Sequence, residues 1–471
     1  MTEGSEGKVA VVGFAKTGKA LLEFLLTEKQ AGHLYLYDDN PRVEAQEIED
    51  YKKRGVTFLV GSEDFNRLGE MDLIIMSPGV NALTPRFTPL RKKGIRLISE
   101  IEFASQFINA PLVAVTGTNG KSTTVSLIHH FLTSSGRNSL LAGNIGNPVI
   151  SEVNRIAVDS IVVLEVSSFQ LEEIFDFRPH IAVLLNMTPD HLDRYPAEDD
   201  YFAAKFNIFK NQTDSDYQIL NHHDAPLLGN FTLPGMGRRI WFSIDEELEW
   251  AEQRAFIKDD AADLKWAGKT DRISLRRNPL RGIHNAENVL AAVTAVRLMG
   301  LGTHEIEAAL ETFKGLPHRM ESLGSIGKVE FINDSKATNV DAALKSLNSF
   351  SGDLVVILGG KDKGGDFSLL EKAVTERVNK VLLMGQAATA IYEQLSHVRD
   401  RCEFVPDLNQ AVKCGYQLLQ SRENGGVVLL SPGCASFDMF HSFEHRGEVF
   451  REAFLSLKRQ NWGARSGVAN G

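Results

Sequence analysis

Three short, unbroken apolar runs each lead into a loop rich in glycine or polar residues. They are Lys8-Val-Ala-Val-Val-Gly13, Pro111-Leu-Val-Ala-Val-Thr116 and Asp353-Leu-Val-Val-Ile-Leu-Gly-Gly360. Apolar runs without polar alternation suit strands covered on both faces, as in a parallel sheet. Leu73 to Met76, Ile161 to Val166, Ile181 to Leu185, Lys380 to Met384 and Val427 to Leu430 carry the same pattern. Gly18 to Leu26 and Asn285 to Met299 place apolar residues at helical spacing. Strand–helix alternation predicts an α/β protein built on mostly parallel sheets. Two seams divide the chain: Ser105 to Pro111, and Lys314-Gly-Leu-Pro-His318, where glycine and proline stop a helix. The polar stretch from Asp214 to Arg281 reads as a strand-rich elaboration of the middle part.

Composition narrows the class. The chain has 471 residues, which at roughly 150 per domain suggests about three domains. Apolar residues at 43% and charged residues at 24% suit a soluble globular protein rather than a disordered one. Lys+Arg is 51 and Asp+Glu is 61, a net charge of −10. That balance argues against a general nucleic-acid binder, which carries a basic footprint. Cys402, Cys414 and Cys434 are too sparse for a disulfide framework, so a reducing cytoplasm is expected. No apolar run reaches the roughly 18–20 residues of a membrane span, and the polar N-terminus lacks the order of a signal peptide.

The strongest local signal is Thr116-Gly-Thr-Asn-Gly-Lys-Ser-Thr123, which comes after a strand and opens a helix. Backbone N–H groups in such a turn hold phosphate oxygens, and the helix N-terminus adds partial positive charge. Lys121 can reach the β- and γ-phosphates, and the Ser122 hydroxyl can bind Mg2+. Val115 stands where the general phosphate-loop pattern has its first glycine, so the loop is shorter. Glu165, at a strand's carboxyl end, is a candidate oxygen ligand for the same Mg2+. Asp190, His191 and Asp193 gather beyond the next strand. Lys205 sits in the helical stretch Tyr201 to Phe209, where a surface lysine is the ordinary reading.

Taken in order, the blocks resemble the Mur ligase family, in the form that adds D-glutamate. They are Gly13-Phe-Ala-Lys-Thr-Gly18, Ser77-Pro-Gly79, the phosphate loop, Gly143-Asn-Ile-Gly146, Glu165-Val-Ser-Ser-Phe-Gln170 and Asp190-His-Leu-Asp-Arg-Tyr195. They continue with His284-Asn-Ala-Glu-Asn288, Leu316-Pro-His-Arg319, Asn333-Asp-Ser-Lys-Ala-Thr-Asn339, Gly359-Gly-Lys-Asp-Lys363 and Ser431-Pro-Gly-Cys-Ala-Ser-Phe437. The resemblance implies three domains: a Rossmann-like domain for a UDP-linked substrate over 1–108, a phosphate-loop domain for ATP over 109–315, and a Rossmann-like domain for the amino acid over 316–471.

It also implies a reaction. ATP phosphorylates the carboxylate of UDP-N-acetylmuramoyl-L-alanine, the amine of D-glutamate attacks the acyl phosphate, and a tetrahedral intermediate collapses to the amide, with ADP and phosphate released. By the same resemblance, Gly117, Thr118, Asn119, Gly120, Lys121, Ser122, Thr123, Asn285, Asn288, Arg319 and Asp334 bind ATP. A second Mg2+ falls to His191 and a carbamoylated Lys205, beside the one on Ser122 and Glu165; Lys121, His191 and Lys205 are the catalytic set. Lys336, Thr338, Lys363, Ser436, Phe437 and Phe443 match the D-glutamate pocket. Lys16, Thr17, Asp39, Asn40, Gly79, Asn144, Ser167 and His191 match the path of the UDP-linked substrate. A cytoplasmic monomer with no nucleic-acid or membrane partner is expected. The alternatives are another Mur ligase or a folylpolyglutamate-synthase-like ligase, a dinucleotide-dependent dehydrogenase using the Gly13–Gly18 turn, and a non-catalytic nucleotide-binding module. The dehydrogenase leaves the phosphate loop and Lys205 without a use.

Overall fold

The apolar runs form strands buried on both faces. Val9 to Val12, Leu112 to Thr116 and Leu354 to Gly359 are buried throughout. The structure, a computed structural model, describes residues 7–39, 45–191, 194–280, 282–362 and 364–466. It is an α/β protein with three sheets. The chain divides into two compact units, 1–277 with 288–311 and 278–287 with 312–471.

The first unit holds two sheets. One has five parallel strands in the spatial order Val56–Val60, His33–Asp38, Lys8–Val12, Leu73–Met76 and Arg96–Ser99. The other has nine, in the order Lys269–Ser274, Ala261–Trp266, Arg254–Lys258, Arg238–Ser243, Tyr217–Asn221, Ile181–Leu184, Leu112–Thr116, Ile161–Glu165 and Ser139–Gly143. Its strands are parallel except for the antiparallel pairings that Ala261–Trp266 makes on either side. The stretch after Asp214 is thus strand-rich, as its composition suggested. One buried cluster, running from Val9 and Leu25 through Phe103 to Leu164 and Phe209, serves both sheets.

The strand Leu112–Thr116 lies between Ile161–Glu165 and Ile181–Leu184. The segments leaving Glu165 and Leu184 therefore flank the phosphate loop at the carboxyl edge, where open α/β sheets bind ligands.

The second unit carries one sheet in the order Glu321–Ile326, Val329–Asn333, Gly426–Leu430, Leu354–Gly359, Val378–Met384 and Cys402–Phe404. Only the first pair is antiparallel. The thiols of Cys402, Cys414 and Cys434 are free.

Candidate active site

The loop after Thr116 turns at Gly117 and Gly120, with φ of 145° and 85°. A Cβ on Gly120 would stand 2.1 Å from Asn288 Oδ1, so the position demands glycine on two counts. The segment after Ile181–Leu184 pins the loop: Thr118 N donates to Asn186 O at 2.9 Å and Asn119 N to Asn186 Oδ1 at 2.8 Å. Asn186 Nδ2 returns a bond to Asn119 O at 3.0 Å. The helix Lys121–Ser134 starts here without a side-chain cap, so its first N–H groups suit an anion. Ser122 and Thr123 are buried in its first turn. Lys121 Nζ folds back on the loop, donating to Gly117 O at 2.8 Å and Thr118 O at 2.9 Å. Asn288 is buried and accepts from Thr124 Oγ1 at 3.3 Å.

Lys205 is not a surface lysine; it is 1% exposed. Its Nζ donates to Gly117 O at 2.9 Å and lies 4.5 Å from the centre of the Tyr201 ring. Burial, and then the Lys121 charge, hold its ammonium well below the usual lysine range, while Asp190 pulls the other way. Tyr201 OH lies 3.3 Å from Thr118 Oγ1. His191 sits at φ 57°, in a turn closed by Arg194 N and Tyr195 N, which donate to its carbonyl at 2.9 and 3.1 Å. Its ring meets Phe169 edge-on at 4.8 Å. Asp193 lies outside the described residues.

Glu165 ends its strand at 3% exposure. Its Oε1 accepts from Asn144 Nδ2 at 2.7 Å, and its Oε2 is buried with no hydrogen-bond partner. A buried orphan carboxylate oxygen beside a phosphate loop fits a hard cation such as Mg2+. Among the described residues no three His, Cys, Asp or Glu side chains gather into a metal-holding group. A cation here needs other oxygens, such as the Ser122 hydroxyl and phosphates.

A cavity of about 980 Å3 brings three predicted blocks together: Gly13 to Thr17, Ser77 to Gly79, and Gly143 to Gly146. Lys16 Nζ donates to Gly146 O at 2.6 Å, and Phe14 N to Asp38 Oδ2 at 2.8 Å. Asp39 is not among the residues lining this cavity. Its carboxylate is bound by Arg86 and Tyr37, and Arg86 holds it below the usual carboxylate range. Asn40 lies outside the described residues. Ser167 caps the short helix Ser168–Leu171 in a reciprocal bond with Gln170, whose side chain reaches the cavity. Asp38, Glu100 and Gln170 line the cavity, and none of them was expected as a ligand of the UDP-linked substrate.

In the second unit, Asp334 comes directly after the strand Val329–Asn333. It is buried, accepting from Ser346 Oγ, from Met320 N at 3.1 Å and from Ser431 Oγ at 3.4 Å. Burial pushes its carboxyl up to about 6. Lys336 Nζ lies 3.8 Å from the centre of the Phe443 ring, a cation–π contact. Thr338 and Arg319 are half-buried, Asn285 and Ser436 are buried, and Phe437 is 68% exposed. Lys363 lies outside the described residues. No motif or periodicity pointed to Arg446, which is 1% exposed. It donates to Ser335 Oγ at 3.0 Å, Ser335 O at 2.8 Å and Cys434 O at 3.0 Å, tying the Asn333–Asn339 and Ser431–Phe437 blocks together.

Fold, loop and cavity define a class, and comparison with known proteins agrees with it. Residues 7–99 match the Mur ligase MurD-like N-terminal domain, 115–296 the Mur ligase middle domain, and 318–434 the Mur ligase glutamate ligase domain. The chain belongs to the Mur ligase family. Within it, the chain is similar to UDP-N-acetylmuramoylalanine–D-glutamate ligases. It is 39% identical to that of Geotalea uraniireducens over 96% of this chain and 97% of the relative. It is 38% identical to that of Pelotomaculum thermopropionicum over 96% and 98%. Among solved structures, a pseudomurein peptide ligase type C from Methanothermus fervidus shares the fold, with TM-score 0.58 and 18% identity over 96% of this chain and 100% of that one. The UDP-N-acetylmuramate–alanine ligase of Thermotoga maritima does so with TM-score 0.56 and 17% identity over 96% and 100%.

Proposed function

We propose that the chain is the ATP-dependent, ADP-forming ligase that joins D-glutamate to UDP-N-acetylmuramoyl-L-alanine in peptidoglycan precursor synthesis. The carrying observation is the 39% identity, over 96% of the chain, to a ligase of that name. A carboxylate is a poor electrophile, so its phosphorylation by ATP comes first. The loop Gly117 to Thr123 cradles the phosphates through backbone N–H groups, and Lys121 neutralises charge as two anions approach. Asn285, Asn288, Arg319 and Asp334 complete nucleotide binding. The orphan Glu165 oxygen supports a Mg2+ site. Ser122, Glu165, His191 and a carbamoylated Lys205 would hold two such ions, which when bound offset the charge of phosphate and carboxylate.

Lys205 is suited to carry the carbamate because burial, and then the Lys121 charge, favour its neutral amine. The nitrogen attacks the carbon of CO2, a C–N bond forms as one C=O π bond opens onto its oxygen, and the amine releases one proton. The neutral amine thereby becomes an anion; counted from the ammonium form, two protons leave. Lys16, Thr17, Asp39, Asn40, Gly79, Asn144, Ser167 and His191 serve the UDP-linked substrate. Lys336 and Lys363 bind the two carboxylates of D-glutamate, with Thr338, Ser436, Phe437 and Phe443 shaping the pocket. The D-glutamate amine attacks the acyl phosphate carbon, the C–O bond to phosphate breaks, and the proton the amine gives up leaves with the released phosphate. The three domains run 1–108, 109–315 and 316–471, and the enzyme works as a cytoplasmic monomer. Among the described residues no helix is long and apolar enough to cross a membrane.

The test is ADP release and amide formation with UDP-N-acetylmuramoyl-L-alanine and a panel of amino acids. D-glutamate is expected to be the preferred acceptor. Preference for L-alanine, a diamino acid or a dipeptide would replace this reading with another ligase of the family.

A further inference from the structure

Arg194 belongs to the Asp190–Tyr195 block, yet no part in binding or chemistry has fallen to it. Its side chain is 9% exposed, and that of its partner Glu172 is 2%. Nε donates to Glu172 Oε1 at 3.0 Å and Nη2 to Oε2 at 2.6 Å. That two-pronged pairing fixes the guanidinium plane, which stacks on Phe169 at 4.0 Å. The remaining bonds reach the turn after the first sheet's strand Leu73–Met76: Nη1 donates to Pro78 O and Nη2 to Val80 O, both at 3.2 Å. Pro78 and Val80 line the substrate cavity.

The other end of this arrangement is His191. Arg194 N donates to His191 O at 2.9 Å, and Phe169, under the guanidinium, meets the His191 ring at 4.8 Å. Tyr195 OH donates to Glu172 Oε1 at 2.6 Å. One side chain therefore ties a wall of the nucleotide-sugar cavity to the segment beside the phosphate loop. A buried ion pair is weak support for stability as such. What it does supply is a fixed register between two backbones.

The substrate requires such a register, since its nucleotide and its reacting carboxylate lie at opposite ends of one molecule. We propose that Arg194, held by Glu172, is a positioning residue that sets the span between the Ser77–Val80 turn and His191, and so places the substrate carboxylate for phosphorylation. The proposal rests on the ligase reading. Lysine cannot stand in, because it offers neither a fork nor a plane to stack.

The experiment compares Arg194→Lys, Glu172→Gln and the double variant with wild type in the full chain. It measures kcat, KM for each of the three substrates, and the melting temperature. Both single variants should lose about 100-fold in kcat, the scale expected when a reacting group is displaced by about 1 Å. KM for UDP-N-acetylmuramoyl-L-alanine should rise while KM for ATP stays within about twofold. The double variant should match the worse single one, as residues acting as one unit do. Wild-type kinetics in both single variants would overturn the proposal. So would an equal KM rise for all substrates, or loss of the folded protein in both variants, since either marks a purely structural pair. Absence of ligase activity in wild type would instead sink the ligase reading itself.

Discussion

Lys205 and Lys121 donate to the same acceptor, the Gly117 carbonyl oxygen, at 2.9 and 2.8 Å. The Lys121 charge beside it disfavours the charged form of Lys205. Burial of the enclosed Lys205 side chain acts in the same direction and is the larger cause. The neutral amine is the form that reacts with CO2. Lys205→Ala should therefore lower kcat by about 100-fold or more, the usual effect of removing a well-placed charge at a reaction centre. High acetate should restore part of the rate by filling the vacated anion position. Full activity of Lys205→Ala without acetate would refute the carbamate.

Lys121 lies half-buried over the loop, so its removal leaves no hole in a core. Lys121→Ala should cut kcat/KM about 100- to 1,000-fold, in line with other lost electrostatic contacts to a transferring group. Its melting curve should overlay that of wild type. Phosphate release at the wild-type rate would remove Lys121 from the ATP site.

Asp334 gives a pH signature. Its folded carboxyl is raised from 3.8 to about 6 by burial. The folded state thus holds this proton more tightly than the unfolded chain does. The contribution favours folding fully below the unfolded pKa and is lost as pH rises through about 6. Asp334→Asn removes that titration. The stability of wild type minus that of the variant should fall by about 3 kcal/mol at most between about pH 4 and pH 7. Denaturant unfolding at the two pH values measures it, and a flat difference would show that the carboxyl is ionised throughout.

Lys336 rests on the Phe443 ring, which orients its ammonium at little entropic cost. Lys336→Ala should raise KM for D-glutamate about tenfold or more, as expected for a lost charge-assisted contact. KM for ATP should move far less. Steady-state kinetics with each substrate varied in turn decides this, and equal shifts would assign Lys336 a structural part.

Much of the fold was written in the chain. The runs at Val9 to Val12, Leu112 to Thr116 and Leu354 to Gly359 announced buried strands, since a strand covered on both faces needs no alternation. The phosphate loop was legible because its glycines, lysine and hydroxyl are contiguous. Lys205 was harder to read, because its partner Gly117 is 88 residues away. The reach of Arg194 was hidden for the same reason, since it bonds Pro78 across 116 residues. Asp38 and Asp39 show the limit of one-residue resolution. Asp38 takes the Phe14 N–H and lines the cavity, while Arg86 claims Asp39. Adjacent residues at a strand end point to opposite sides, and no local pattern tells which side carries the site.

The nine-stranded sheet ends on one side in the strand Lys269–Ser274, and that ending has a consequence for what its edge presents to other chains. An open sheet edge offers unpaired N–H and C=O groups on which another chain can dock. Here the outermost strand carries Lys269, Asp271 and Arg272. Asp271 is paired to Arg297 and Arg272 to Asp263, which keeps these charges fixed at the margin. On this side of the sheet, the antiparallel turn-back that adds this strand sets the parallel strands inward from the rim. The polar, irregular stretch that looked like an appendage in the sequence thus gives this rim a charged strand, a kind of edge that disfavours the docking of another strand.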